Sequence, residues 1–240
     1  MLSGPPATAG ATPAQLLSRF LGGNSRQRRS LLPQLEQCAE ELRPLVMDQL
    51  NALDATGDDW AAGWLIQLLL GGPEVDRQRF ASRYPEGWLV TTSAQGVSYS
   101  PLQSALAQQS FEEADRLTSA LLRELAGRGA VQRGYVYYSE VPAIAAVDLE
   151  SLDRLWVCYS QGRFGFSVQG RLLLACGGRW ELLWPRLHWK AEGVWSRYPG
   201  GFQWSITAPE GHMPLVNQLR GVRLMDALLQ HPAVQQRVKA

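Results

Sequence analysis

The side chains that could do chemistry do not form a familiar catalytic pattern. The sequence holds no Gly-x-Ser-x-Gly, no His-Glu-x-x-His and no phosphate-binding Gly-Lys-Ser/Thr motif. His188, His212 and His231 stand apart, without the pairing that metal ligands show. Catalysis needs acids, bases or nucleophiles held together. The sequence therefore favours a binding protein over an enzyme, and it predicts neither a catalytic residue nor a metal site.

Tryptophan is concentrated in one stretch of the chain. Five of the nine tryptophans lie there with two further aromatics, namely Trp180, Trp184, Trp189, Trp195, Trp204, Tyr198 and Phe202. Interspersed Gly and Pro residues rule out a long helix, so we expect region 177–214 to be mostly loop. Large amphipathic rings on a loop favour a binding surface, although each Trp taken alone fits a core position equally well.

Arg220 and Arg223 follow three residues apart, so on a helix they share one face. Two guanidinium groups there can each bind a carboxylate through paired hydrogen bonds. Beside a broad apolar wall they would select a large, flat ligand with carboxylates at one edge. A porphyrin with two propionates has that shape. The alternative is an ordinary solvated helix face.

Composition narrows the functional class further. A net charge of +1 gives no reason to expect nucleic acid. No apolar run approaches the roughly 18 residues that span a bilayer, and the first residues lack the pattern of a signal peptide. Cys38, Cys158 and Cys176 are far apart, which predicts buried structural thiols in a reducing compartment. We therefore expect a cytoplasmic protein.

Residues 12–85 predict a string of short helices. The first helix begins at Thr12-Pro13 and ends at Gly22-Gly23, and a second helix, marked by apolar residues on one face, ends before Pro44. Of the later helices, one ends at Gly71 and the next begins at Pro73. Helices this short need packing against one another, which predicts a small helical bundle or repeat-like module.

The second half also predicts helices. Ser110 and Glu113 have the spacing of a capping box, and an apolar face runs from there to Gly127. Further helices are predicted over 148–159 and 216–229. Weak strand signals occur only at 135–138 and 166–168.

The fold class is therefore all-α. The predicted organisation is a disordered tail over 1–11, an N-terminal helical domain over 12–90, a linker or short hairpin over 86–100 and a core domain over 99–240.

Several long, ungapped strings in the second half resemble one known family. They are Ser110–Gly127, Asp153–Trp156, Tyr159–Gln169, Trp189–Trp195, Arg197–Pro199 and Asn217–Val222. The chain resembles the "genomes uncoupled four" family, the tetrapyrrole-binding regulators of magnesium chelatase, over about residues 99–232. Its helical N-terminal part is typical of cyanobacterial members.

The resemblance implies a function as well as a fold. The core would be an all-helical cupped hand with an apolar palm. It would bind protoporphyrin IX and Mg-protoporphyrin IX, and in some members a linear bilin. It would stimulate magnesium chelatase in chlorophyll biosynthesis through the H subunit, without catalysis of its own. We expect a monomer that can associate peripherally with a membrane.

The resemblance also implies which residues bind the ligand. They are Tyr138, Val141, Trp189, Trp195, Tyr198, Met213, Leu215, Asn217, Arg220 and Arg223. Tyr138 and Val141 would line the palm, and Trp195 and Tyr198 would sit on a mobile loop above the ring. The arginines and Asn217 would meet the polar edge. Tyr138 stands where relatives are expected to have Phe, so its hydroxyl needs a partner or must reach water.

Two other interpretations stay open. The helical N-terminal part and the exposed aromatics could serve a protein partner, with no pigment at all. Alternatively the ligand could be haem, which requires a committed axial ligand, and His212-Met213 makes that conceivable. Magnesium is a hard ion that can keep water or take a carbonyl oxygen, so a magnesium porphyrin needs no such side chain.

Overall fold

The computed structural model describes residues 11–215 and 222–239, and helices make up most of this part of the chain. They are α1 (Pro13–Gly22), α2 (Ser25–Gln37), α3 (Ala39–Ala52), α4 (Trp60–Leu70), α5 (Glu74–Arg83), α6 (Ser100–Ala107), α7 (Phe111–Ala126), α8 (Arg128–Arg133), a 3-10 helix (Tyr138–Ala143), α9 (Ala146–Tyr159), α10 (Phe166–Ala175), α11 (Trp180–Arg186), α12 (Val222–Gln230) and α13 (Pro232–Lys239). A small antiparallel hairpin joins β1 (Lys190–Ala191) to β2 (Val194–Trp195), with Lys190 opposite Trp195. The all-α fold class is confirmed.

The chain forms two compact units, Met1–Ala52 and Leu53–Ala240. Helices α1–α3 belong to the first unit, and every element from α4 onward belongs to the second. The predicted limits, 12–90 and 99–240, remain a prediction about domain organisation. The predicted tail over 1–11 lies almost wholly outside the described residues.

The first unit depends on helix capping and a small apolar core. Thr12 and Gln15 cap α1 reciprocally, as the start at Thr12-Pro13 predicts, and Asn24 and Gln27 do the same for α2. The prediction that a helix ends before Pro44 is wrong, because Pro44 lies inside α3. The break falls at Cys38, between α2 and α3. Packing of the buried apolar face of α3 outweighs the missing proline N–H.

Helix α9 is the centre of the second unit. It packs against α4, α6, α10 and α13, so nearly every side of it is buried. Its polar atoms are satisfied inside the core: Trp156 Nε1 donates to Thr118 Oγ1 at 2.9 Å, and Tyr159 Oη donates to Gln103 Oε1 at 2.8 Å. Cys158 and Cys176 are buried as predicted, whereas Cys38 is half-buried.

Two arginines, the buried Arg154 and the half-buried Arg237, join the ends of this unit to α9. The guanidinium of Arg154 donates to the backbone carbonyls of Ala55, Gly57 and Val90. On α13, Arg237 bridges Asp153 and Asp58. The connection between α5 and α6 therefore lies fixed against α9, and no paired strand forms in 86–100.

The sequence predictions near the candidate site need two corrections. Ser110 does not cap α7, because its side chain makes no capping hydrogen bond and Glu113 instead pairs with Arg116 at 2.5 Å. The weak strand signals are wrong as well, since Tyr138 opens the 3-10 helix and Phe166 opens α10. Strand propensity takes effect through pairing with a neighbouring strand, and neither segment has such a partner among the described residues. Region 177–214 is mostly loop, as predicted, and contains α11 and the hairpin.

The contact between α4 and α9 gives a direct test of this packing. At Gly63, an added Cβ would overlap the backbone carbonyl of Cys158, which cannot move without displacing α9. Gly63→Ala should therefore lower the free energy of unfolding by about 3 kcal/mol. Urea unfolding measures this, with Gly200→Ala as the control because Gly200 faces open space. Equal stability of the two variants would contradict the close approach.

Candidate functional site

The tryptophans of the aromatic region divide between core and surface. Trp184 stacks on Trp180 at 5.1 Å and on Trp189 at 5.8 Å between ring centroids, and Trp195 packs against it at a tilt. Trp189 is only 1% exposed, and its indole N–H donates to the carbonyl of His212 at 2.8 Å. Trp195 is 39% exposed. One end of the stack is therefore structural, and the other end presents an aromatic face to solvent.

A second aromatic group lies further along the same loop. Tyr198 contacts Trp204 edge to face at 5.8 Å and also packs against Phe202. Tyr198 remains 54% exposed. A cleft of about 430 Å³ separates it from the first turn of α7, where Glu112 and Arg116 line the opposite wall. This part of the loop presents aromatic surface beside charged groups.

His212 joins this loop to the core. Its Nε2 accepts a hydrogen bond from the backbone N–H of Gln203 at 3.1 Å, so Nδ1 carries the proton and donates to the carbonyl of Leu187 at 2.6 Å. Burial lowers the pKa of His212, with an opposing contribution from Leu187. Both ring nitrogens are occupied, so neither is available to ligate a haem iron in this arrangement.

The segment 211–215 is buried and irregular, and side chains from other helices satisfy its backbone. Gln169 Nε2 donates to the carbonyls of Gly211 and Pro214, at 3.0 and 2.8 Å. The backbone N–H of Leu215 donates to Asp115 Oδ1 at 2.6 Å. Burial raises the pKa of Asp115 to about 7, and the Leu215 N–H opposes that shift.

The 3-10 helix packs against α12. Glu140 accepts hydrogen bonds from the backbone N–H of Tyr137 at 2.8 Å and from Arg133 Nη2 at 2.7 Å. These contacts fix the helix, so that Val141 is fully buried and Tyr138 is 46% exposed. The guanidinium of Arg223, on α12, lies 5.4 Å from the centroid of the Tyr138 ring.

The structure brings some of the predicted ligand-binding residues together. Tyr138 and Arg223 form a cation-π pair with an exposed aromatic face. Val141, Met213 and Leu215 are buried. Asn217 and Arg220 lie outside the described residues. The binding role of the set remains a prediction.

Sequence reasoning missed Asp115, Gln169 and the structural role of His212. Asp115 carried a signal, because it follows Phe111 by four residues and precedes Thr118 by three, on the buried face of α7. A carboxylate at such a position needs a partner. Gln169 gave no signal, since its partners lie more than 40 residues away along the chain.

Within residues 11–215 and 222–239, no three His, Cys, Asp or Glu side chains come together in a way that could hold a metal ion. No helix in this part of the chain is both long and apolar enough to cross a membrane.

The family model described as GUN4-like matches residues 92–232 of this chain. The chain belongs to the GUN4-like family. The match begins after α5 and covers the 3-10 helix, the aromatic loop and α12. The family resemblance found in the sequence is therefore confirmed.

Solved and curated relatives agree with this assignment. A structure of GUN4 from Chlamydomonas reinhardtii aligns with a TM-score of 0.58 at 39% identity, covering 60% of this chain and 95% of that one. The ligand-free structure of Arabidopsis thaliana GUN4 gives 0.54 at 37% identity, covering 58% and 99%. These are helical matches to the GUN4-like core.

Two curated proteins are similar in sequence. A Ycf53-like protein of Synechocystis sp. is 52% identical over 149 residues, which are 62% of this chain and 64% of that protein. A protein named "Tetrapyrrole-binding protein, chloroplastic" from Arabidopsis thaliana is 37% identical over 141 residues, 55% of this chain and 53% of the relative. The chain thus spans less than two thirds of the length of either relative.

The role of His212 in holding the loop can be measured by mutation. His212→Gln should lower the free energy of unfolding by about 1–3 kcal/mol at pH 7.5, since two buried hydrogen bonds are disturbed. The native pKa is depressed, so the neutral ring's contribution is full above the unfolded pKa and is lost as the pH falls. The difference between the two proteins should therefore shrink at pH 5.5.

Denaturant unfolding at both pH values checks this prediction. His188→Asn is the matched control, because His188 is exposed and Asn tolerates its positive φ. A cost for His212→Gln that grew at pH 5.5 would contradict the proposed tautomer.

Proposed function

We propose that this chain binds protoporphyrin IX and Mg-protoporphyrin IX as a non-catalytic regulator, and stimulates magnesium chelatase in chlorophyll biosynthesis. The observation that carries the proposal is the exposed Tyr138 ring with the Arg223 guanidinium beside it, within the GUN4-like region. An aromatic face suits a macrocycle, and a neighbouring cation suits a propionate. The name of the Arabidopsis relative, a tetrapyrrole-binding protein, supports the same ligand class.

Apolar contact would supply most of the binding free energy. At about 25 cal/mol per Å², covering several hundred Å² of macrocycle contributes several kcal/mol before ordering costs. Tyr138 would contribute to that surface. Val141, Met213, Leu215 and Trp189 are buried, so their proposed role is to shape the wall from behind.

The propionates would be held at the polar edge. Arg223 is exposed on α12, where its planar guanidinium can bind a carboxylate through two hydrogen bonds. We extend the same role to Arg220, which the sequence places three residues earlier, and to Asn217. A linear bilin also carries two propionates, so it remains a second candidate ligand with the same anchoring.

The aromatic loop would cover the bound ring. Trp195 and Tyr198 are the exposed aromatics of that loop, and His212 fixes its base to the core. A loop fixed at its base and exposed at its tip can close over a ligand without unfolding. An open site that takes up and releases porphyrin would suit delivery of protoporphyrin IX to the chelatase or removal of its product, Mg-protoporphyrin IX. It would also shield a photosensitising molecule from solvent.

A magnesium porphyrin needs no axial ligand from a protein side chain. Mg²⁺ can keep water or take a carbonyl oxygen as its axial ligand. Haem would require a committed side chain, and the two nitrogens of His212 are already engaged. These contacts favour the magnesium and metal-free porphyrins over haem.

The arginines test the binding site. Arg223→Ala and Arg220→Ala should each weaken protoporphyrin IX binding by about 1–2 kcal/mol, roughly 5- to 30-fold, because each removes a charge-assisted contact to a propionate. Quenching of tryptophan fluorescence measures the affinity. Arg128→Ala, at an exposed arginine on α8, is the control. Unchanged titrations in both variants would refute the proposed polar edge.

The regulatory part of the proposal needs a reconstituted chelatase assay. Adding this chain to the purified chelatase subunits should increase the rate of magnesium insertion into protoporphyrin IX. Binding to the isolated H subunit should be detectable by a pull-down under the same conditions. If porphyrin binds but neither effect appears, the protein is a pigment carrier without a role at the chelatase.

A further inference from the structure

Asp115 is a buried carboxyl group that the proposed ligand contacts do not use. It lies on α7 and is only 2% exposed. Among the described residues it has one hydrogen-bond partner, the backbone N–H of Leu215 at 2.6 Å. The two residues are 100 positions apart in the chain, so this bond joins α7 to the segment that leads toward α12.

Among the described residues, no cation pairs with the carboxyl group of Asp115. Its neighbour Arg116 is exposed and pairs with Glu113. Glu112, on the same helix, acts on Asp115 with a like charge, and Tyr198 faces it from the aromatic loop. Among the described elements that pack against α7, α6 has no titratable side chain. The carboxylate of the 3-10 helix, Glu140, and Arg133 of α8 are paired with each other.

The bond to Leu215 completes a set of backbone anchors. Gln169 holds the carbonyl of Pro214, and the backbone N–H of Gly165 holds the carbonyl of Met213 at 3.0 Å. Asp115 holds the next amide. An ionised carboxylate makes a charge-assisted bond, whereas a protonated one accepts more weakly and acquires an O–H that needs an acceptor of its own.

We propose that Asp115 is a positioning residue whose ionised carboxylate fastens Leu215, and that protonation loosens this anchor and weakens ligand binding. The effect on ligand affinity rests on the proposed function; the anchor itself does not. Leu215 is buried behind the proposed ligand surface and helps to shape it, and Arg223 follows on the next described helix. Loosening the backbone at Leu215 would therefore disturb the apolar wall and, through the chain that follows, the position of Arg223 at the polar edge.

The burial of Asp115 puts this change near neutral pH. Burial raises its pKa to about 7, with Glu112 adding to the shift. The folded pKa then exceeds the unfolded value, so the native state binds more protons between about pH 4 and 7. Stability from this group is full at low pH and is lost as the pH rises through 7. The hydrogen bond to Leu215 changes in the opposite direction. It strengthens as the pH rises, because it needs the ionised carboxylate of Asp115.

The experiment uses the full chain and three proteins: the natural chain, Asp115→Asn and Glu112→Gln. Amide hydrogen exchange, expressed as protection factors, is followed over 211–215 at pH 6 and pH 8. Protoporphyrin IX affinity is measured by tryptophan quenching in the same buffers. Asn keeps an acceptor for the Leu215 N–H but cannot ionise. Glu112 is exposed, so Glu112→Gln removes the like charge with little effect on packing.

For a pKa of 7, the ionised fraction of Asp115 rises about tenfold between pH 6 and pH 8. In the natural chain we expect protection over 211–215 and porphyrin affinity to rise together, by up to about tenfold. Asp115→Asn should show neither change. In Glu112→Gln, the rise between pH 6 and pH 8 should be smaller, because loss of the like charge leaves Asp115 more ionised at pH 6.

Three outcomes separate the alternatives. Equal protection at both pH values in the natural chain would overturn the anchor. A pH-dependent affinity that Asp115→Asn shares would overturn its positioning role. If protection responds as expected and no variant binds porphyrin at either pH, the anchor stands and the proposed function fails instead.

Discussion

The candidate site depends on one constraint: a buried, irregular stretch of backbone must have its polar groups satisfied by side chains from elsewhere. Segment 211–215 has no helix or sheet to do this. Gln169, Asp115 and the backbone of Gly165, just before α10, supply the partners instead. Such bonds add little net stability each, but a missing one costs the full desolvation of a buried group. The segment is therefore held in one place.

The aromatic loop combines two roles along one chain. Stacking between Trp184 and Trp189 buries large apolar surfaces and fixes the hairpin that follows. The same stack leaves Trp195 half in solvent at its outer end. A rigid base with exposed rings at the tip needs little reordering on binding, which reduces the entropic cost of capturing a flat ligand.

The sequence predicted the helices better than it predicted the site. Apolar periodicity and Gly or Pro boundaries located α1, α4, α7 and α9 closely, because these signals are local. It misjudged Pro44 and Ser110, where tertiary packing and a competing Glu113–Arg116 pair decided the outcome. It singled out the tryptophans as a group but could not separate the buried Trp189 from the exposed Trp195. That distinction depends on contacts with residues distant in the chain, such as His212.

The central claim is that a porphyrin lies against Tyr138 with a propionate at Arg223. A crystal structure of the full chain grown with protoporphyrin IX tests it most directly. The account predicts a macrocycle in contact with the Tyr138 ring and a carboxylate within hydrogen-bonding distance of the Arg223 guanidinium. A porphyrin bound elsewhere on the chain, with both of these side chains still facing solvent, would contradict it.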